Sequence, residues 1–111
     1  SSVASIRGQS AAASYAATKG ALNSFILSSV AELGREGLRF NGVVAGLVET
    51  PLSEKIKEKI GDSAWKQLQE AHPLGIGGTE NIADAAIFLL SKRASWISGS
   101  LVQVDGGFLS C

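Results

Sequence analysis

The sequence predicts an α/β fold built on a doubly wound parallel sheet. Three observations carry that expectation. The segments Leu38–Ala45 and Ser100–Val104 are apolar enough for internal strands covered on both faces. Helical stretches stand between the strand segments, in the order strand, helix, strand, helices, strand. That order gives right-handed crossovers between parallel strands. The stretch from about Ala13 to Glu36 carries apolar and small residues such as Ala17, Leu22, Phe25 and Val30 on more than one face. A helix with one wet face would show a single stripe, so this one is expected to be buried on two sides.

Each element has its own signal. Ser1 to Ala4 reads as the end of a strand, and Ser5–Ala12, with Gly8 and several small residues, as a loop. Gly37 is the expected terminator of the long helix, because glycine takes the left-handed conformation at little cost. Gly46–Pro51 follows the Leu38–Ala45 strand as a loop at its carboxyl end, where open α/β sheets bind ligands. Leu52–Lys59 and Asp62–Ala71 read as two polar helices broken at Gly61, with Trp65 and Leu68 spaced to touch on one face. His72–Gly78 is a loop. Thr79 is a good N-cap for a helix from Glu80 to about Ser91, with Ile82, Ala86 and Leu89 on its core face. Ser98-Gly99 is a turn before the last strand, which Asp105-Gly106-Gly107 ends. No internal repeat or linker interrupts the 111 residues, so one domain is expected over 1–111.

Composition excludes several classes of function. Ten basic and ten acidic side chains balance, which gives no reason to expect nucleic acid or an anionic membrane as partner. No run of eighteen apolar residues occurs, so no membrane span is expected, and no basic, then apolar, opening suggests a signal peptide. The lone Cys111 cannot close an internal disulfide, which fits a reducing, cytoplasmic compartment. His72 is the only histidine and has no metal-ligand companion, so no zinc or other metal site is expected.

The chemistry centres on Ser14-Tyr15-Ala16-Ala17-Thr18-Lys19. Tyr15 and Lys19 are four residues apart, on one face of a helix and one turn from each other. An ammonium beside a phenol favours the phenolate, and a phenol tuned in this way works as a general acid and base. Taken alone, the pair is also a common surface spacing. Ser2 stands thirteen residues before Tyr15, and Gly20-Ala21-Leu22 follows Lys19 at once. Downstream comes Arg39-Phe40-Asn41-Gly42-Val43-Val44-Ala45-Gly46-Leu47-Val48-Glu49-Thr50. In this order, from Ser1 to about Leu109, the motifs resemble the short-chain dehydrogenase/reductase family.

The resemblance implies the C-terminal portion of a Rossmann-like domain and an NAD- or NADP-dependent oxidoreductase acting on a small carbonyl or secondary alcohol. It implies that Ser2 hydrogen-bonds the substrate oxygen, with Ser1 a weaker candidate. It assigns proton transfer to Tyr15, and the tuning of Tyr15 and the hold on the nicotinamide ribose to Lys19. Gly46, Val48 and Thr50 match the family's nicotinamide loop, the backbone near Val48 meeting the carboxamide and the Thr50 hydroxyl reaching the carboxamide or pyrophosphate. Asn41 matches a structural asparagine. Trp96-Ile97-Ser98-Gly99 and Val104-Asp105-Gly106-Gly107 match the family's final turn and strand. Family members pair the long helix across a two-fold axis, so a homo-oligomer, dimer or tetramer, is implied. Two positions depart from the family. Ala45-Gly46 replaces the usual Pro-Gly, which frees φ and loosens the cofactor loop. Ile76 replaces a common arginine, which alters local salt bridging.

A glycine-rich phosphate loop after a first strand is missing, and Gly75-Ile76-Gly77-Gly78 lacks the preceding strand that such a fingerprint needs. The expectation is therefore a portion of a longer enzyme, inactive by itself. The alternative is a non-catalytic half-domain that binds a partner through its sheet edge and helix face.

Overall fold

The computed structural model describes residues 1–111. Strand β1 (Gly42–Ala45) pairs in parallel with β2 (Leu101–Val104), in register from Gly42 opposite Leu101 to Ala45 opposite Val104. On the other side of β1, Ser2 forms a single parallel bridge with Ala45, and the Ser1 nitrogen donates to the Val43 carbonyl at 2.8 Å. The order across the sheet is thus the Ser1–Ser2 segment, β1, β2, all running the same way.

β1 is shorter than the apolar run Leu38–Ala45 suggests. Side chains take over the pairing ahead of Gly42. Asn41 donates through Nδ2 to the Ile97 carbonyl (2.8 Å) and accepts the Ser100 N–H on Oδ1 (3.0 Å). Arg39 donates to the carbonyls of Ile97 and Leu89 at 3.0 and 2.8 Å. Asn41 thereby holds the turn that starts β2 against the start of β1, a structural role.

Helix α1 (Ala13–Leu33) runs into a 3-10 turn, Gly34–Glu36, and stops at Gly37, whose φ of 82° is the expected left-handed terminator. One face lies on the sheet. A side chain at Gly42 would put its Cβ 2.8 Å from Ile26 Cδ1, so glycine there lets α1 approach β1. The other face does not have the second cover expected of it: Leu22 is 44% exposed and Phe25, three residues on along the same face, 64%.

Helix α2 (Pro51–Glu70) contains the expected break as a kink, since Gly61 stands at φ 79°, ψ 168° between two helical halves. Helix α3 (Thr79–Leu90) begins one residue earlier than anticipated. Gly78, not Thr79, is the N-cap, and Asn81 Oδ1 accepts the Gly78 N–H at 2.8 Å. Ser91 is extended and starts a further 3-10 turn, Lys92–Ala94.

The core is small and sits where the site is built. Val3, Val44 and Phe108 pack together, with Ala71, Leu101 and Leu109 against them. Phe108 reaches this cluster because Gly106 and Gly107 take positive φ (59° and 88°) and reverse the chain after β2. Asp105 fixes the reversal by accepting the N–H groups of Gly107 (3.0 Å) and Leu109 (2.9 Å). No helix is long and apolar enough to cross a membrane.

Candidate active site

The site lies at the carboxyl ends of the parallel strands, where peptide groups leave the ladder and helices begin. An open cleft of about 590 Å³ occupies this position. Ser2, Tyr15, Gly46, Val48 and Thr50 all line it. Five sequence-predicted residues from three separate segments therefore share one cavity. Lys19 does not line the cleft. It stands behind Tyr15, with Nζ 5.4 Å from the centroid of the phenol ring.

Helix geometry places Tyr15 and Lys19. Both lie in the first two turns of α1, four residues apart, and Tyr15 is half exposed toward the cleft. The phenol hydroxyl makes no hydrogen bond within the chain, so it is free to meet a ligand. Just before α1, Ala11 takes φ 59°, the only residue other than glycine with positive φ. For alanine this conformation costs on the order of 1 kcal/mol. The strained residue forms part of the cleft wall.

Ser2 is positioned by the 3-10 turn Val3–Ser5. Its Oγ accepts the Ala4 N–H at 3.3 Å and so caps that turn. Capping uses the oxygen as an acceptor and leaves its hydrogen without a partner in the chain, free to donate. Ser1 differs: its hydroxyl is directed to the Lys19 carbonyl and to Ser5 Oγ, both at 3.2 Å, and it does not line the cleft. Of the two serines, Ser2 is the one available to a ligand.

The segment Gly46–Thr50 is held tightly although alanine stands where a proline would stiffen it. Gly46 N–H donates to the Val104 carbonyl at 3.0 Å, and Leu47 N–H to His72 Nε2 at 3.2 Å. Glu49 N–H donates to the Gly77 carbonyl at 2.8 Å, and Thr50 N–H to Ser53 Oγ at 2.9 Å. Among the five amides, only that of Val48 has no acceptor in the chain. A hydrogen-bond ladder thus supplies the rigidity, and it leaves one amide, on a residue of the cleft wall, without a partner. The Thr50 hydroxyl is largely committed: it accepts the Ser53 N–H at 3.2 Å as the N-cap of α2 and reaches the Val48 carbonyl at 3.5 Å. Its remaining capacity for a ligand is one lone pair.

Three contributors escaped the sequence reading. Asn23 donates through Nδ2 to Ser5 Oγ at 2.9 Å, and Ser5 Oγ donates to the Ser2 carbonyl at 2.6 Å. Asn23 is four residues beyond Lys19 and eight beyond Tyr15, so a search for polar residues along that helical stripe would have found it. Ser5 ties α1 to the Ser2 segment, and no sequence signal marks it. His72, four per cent exposed, lies against the cleft floor. The remaining lining is mostly apolar, with Leu52, Ile56, Leu68 and Phe108 opposite the polar groups.

The carboxyl-end cleft of a parallel α/β sheet thus gathers a helix-borne phenol, a capped serine and an unpaired loop amide, with an ammonium behind the phenol. The chain belongs to the short-chain dehydrogenase/reductase family: a family model described as enoyl-(acyl carrier protein) reductase matches residues 1–109. It is 40% identical to the L-xylulose reductase of Bos taurus over 117 aligned positions, covering 99% of this chain and 45% of that protein. It is 36% identical to the (3R)-3-hydroxyacyl-CoA dehydrogenase of Canis lupus familiaris over 93 positions, covering 84% of this chain and 35% of the relative. A solved structure of 4-hydroxyisoleucine dehydrogenase complexed with NADH superposes with a TM-score of 0.91 at 25% identity, over all of this chain and 45% of the other. The chain spans less than half the length of these proteins.

Proposed function

We propose that the intact protein is an NAD- or NADP-dependent oxidoreductase that interconverts a carbonyl and a secondary alcohol, with Tyr15 as its general acid and base. The observation that carries this reading is the gathering of Ser2, Tyr15 and the free Val48 N–H in one cleft, with Lys19 against the phenol. The bound dinucleotide supplies or accepts the hydride. In the reductive direction the carbonyl carbon gains that hydride and the oxygen must gain a proton. Tyr15 gives the proton, and the Ser2 hydroxyl donates to the same oxygen as negative charge builds on it. The Lys19 ammonium, 5.4 Å from the phenol ring centroid, would hold the ribose hydroxyls of the cofactor beside Tyr15. The unpaired Val48 N–H would hold the carboxamide of the cofactor, with Gly46 letting the loop lie close to the sheet and Thr50 closing it.

The cleft also bears on the substrate. Apart from Tyr15 and His72, none of its 17 lining residues is ionisable. With the apolar wall of Leu52, Ile56 and Leu68, this supports a carbonyl carried on an uncharged, largely apolar body. The bare face of α1 at Leu22 and Phe25 supports pairing of two copies into a homo-oligomer; a monomeric mass by light scattering at micromolar concentration would contradict it. The 111 residues alone contain no glycine-rich phosphate turn and are expected to be inactive.

Tyr15→Phe in the intact protein tests the assignment. Turnover should fall by about 10²–10⁴-fold, the usual contribution of a proton-transfer group, while the cofactor dissociation constant stays within about twofold. Unchanged steady-state kinetics would refute it.

A further inference from the structure

We propose that His72 is a positioning residue for the nicotinamide loop: a single neutral tautomer of its imidazole fixes the Gly46–Leu47 peptide, which directly precedes the peptide bearing the unpaired Val48 N–H. The inference rests on the cofactor reading above and adds a residue to it.

Both ring nitrogens are engaged, and their partners define the proton. Nδ1 lies 2.7 Å from the Leu68 carbonyl, which can only accept, so Nδ1 carries the hydrogen. Nε2 lies 3.2 Å from the Leu47 nitrogen, whose N–H can only donate, so Nε2 presents a lone pair. Protonation of Nε2, or the opposite tautomer, would set two donors against each other. The ring itself is clamped. It stacks on Phe108 with centroids 4.6 Å apart and planes at 23°, and the Arg7 guanidinium sits 4.8 Å from the centroid of the same Phe108 ring. Arg7 in turn donates to the Phe108 carbonyl at 3.0 Å, so the stack is tied to the segment that carries Ser2.

The consequence falls on one peptide. The Leu47 N–H is held by His72, and the Leu47 carbonyl accepts the Gly77 N–H at 3.0 Å from the other side. The Leu47 carbonyl shares its peptide plane with the Val48 N–H, so Gly77 orients that amide while His72 fixes the peptide before it, and the two together hold residue 47. Among the partners of the Gly46–Leu47 backbone, His72 is the only side chain. It also joins the loop to the end of α2, through Leu68, whose helix forms the apolar cleft wall. Loop and wall therefore keep their spacing through one imidazole.

The test uses the intact protein with His72→Leu, which removes both hydrogen bonds, and His72→Gln, whose amide oxygen can stand near the Nε2 position. NADH and NADPH dissociation constants are read by fluorescence, kcat and KM by steady-state kinetics. Nitrogen-15 NMR reports the His72 ring in the unmutated protein. The ring should be neutral with the hydrogen on Nδ1. His72→Leu should raise the preferred cofactor's dissociation constant and KM by about tenfold, the scale of one lost hydrogen bond, with a smaller change in kcat. His72→Gln should recover most of that loss. A charged ring, a hydrogen on Nε2, unaltered cofactor binding in His72→Leu, or no recovery in a folded His72→Gln would each overturn the proposal. If the unmutated protein binds neither dinucleotide, the cofactor reading fails, and with it the role assigned to His72. If it binds one and Tyr15→Phe is inactive, the reading stands and the His72 variants decide the positioning role alone.

Discussion

Replacing Gly46 with alanine should damage stability and activity together, because the residue sits where two backbones nearly touch. A Cβ added at Gly46 would lie 2.7 Å from Asp105 Cα and 3.1 Å from the Asp105 carbonyl oxygen. Ordinary contact starts at 3.4 Å, so the two segments must separate by about 0.7 Å. Neither can give easily. Gly46 N–H is bonded to Val104, and both Asp105 carboxylate oxygens are used in the turn that carries Phe108 into the core. Forcing extra volume into a packed contact costs about 1–3 kcal/mol. Each kcal/mol lowers the unfolding midpoint by about 2–8 °C, depending on domain size. The displacement also moves the amide of Val48, two residues on. A misplacement approaching 1 Å at a reacting centre costs up to about 10²-fold. Thermal unfolding followed by circular dichroism, with kcat/KM measured on the same preparation, reads both effects. A midpoint within about 1 °C of the unmutated protein, with kcat/KM within about twofold, would refute the close-approach argument.

Lys19→Ala should lower turnover and raise the cofactor dissociation constant together if, as proposed, one ammonium serves both the phenol and the ribose; fluorescence titration with the reduced cofactor is the check, and loss of only one property would separate the roles. Thr50→Val removes the hydroxyl that caps α2 and should cost about 1 kcal/mol in chemical denaturation. An unchanged midpoint would show that Ser53 holds the helix start without it. Gly20→Ala should stabilise by about 0.8–1 kcal/mol, because Gly20 lies inside α1 and an added Cβ meets no atom within 4 Å. A lower midpoint would mean that another surface closes on α1 at that point, as the proposed homo-oligomer would allow.

Spacing alone was enough to place Tyr15 and Lys19 side by side on α1. Tyr15 and Lys19 are related by helix geometry alone, and Gly37 and Gly61 are breaks that any backbone must obey. The loop after β1 was legible as a ligand position because the strand before it was legible. Other features were decided only by the fold. The sequence could not say which serine lines the cleft; the Ser1 hydroxyl is drawn to the Lys19 carbonyl by the docking of the first segment on α1, while Ser2 caps its own 3-10 turn through Ala4. Nor could it show that the cofactor loop stays rigid without proline, since the acceptors come from Val104, His72, Gly77 and Ser53. His72 read as a lone histidine without a metal companion, and nothing near it in sequence hinted at Leu47, twenty-five residues away. The run Leu38–Ala45 predicts one strand where the structure has only Gly42–Ala45, because hydrophobicity reports burial and not which group satisfies each amide. Local periodicity selects which side chains share a face. Only the packed structure determines which donors are already spent and which remain for a ligand.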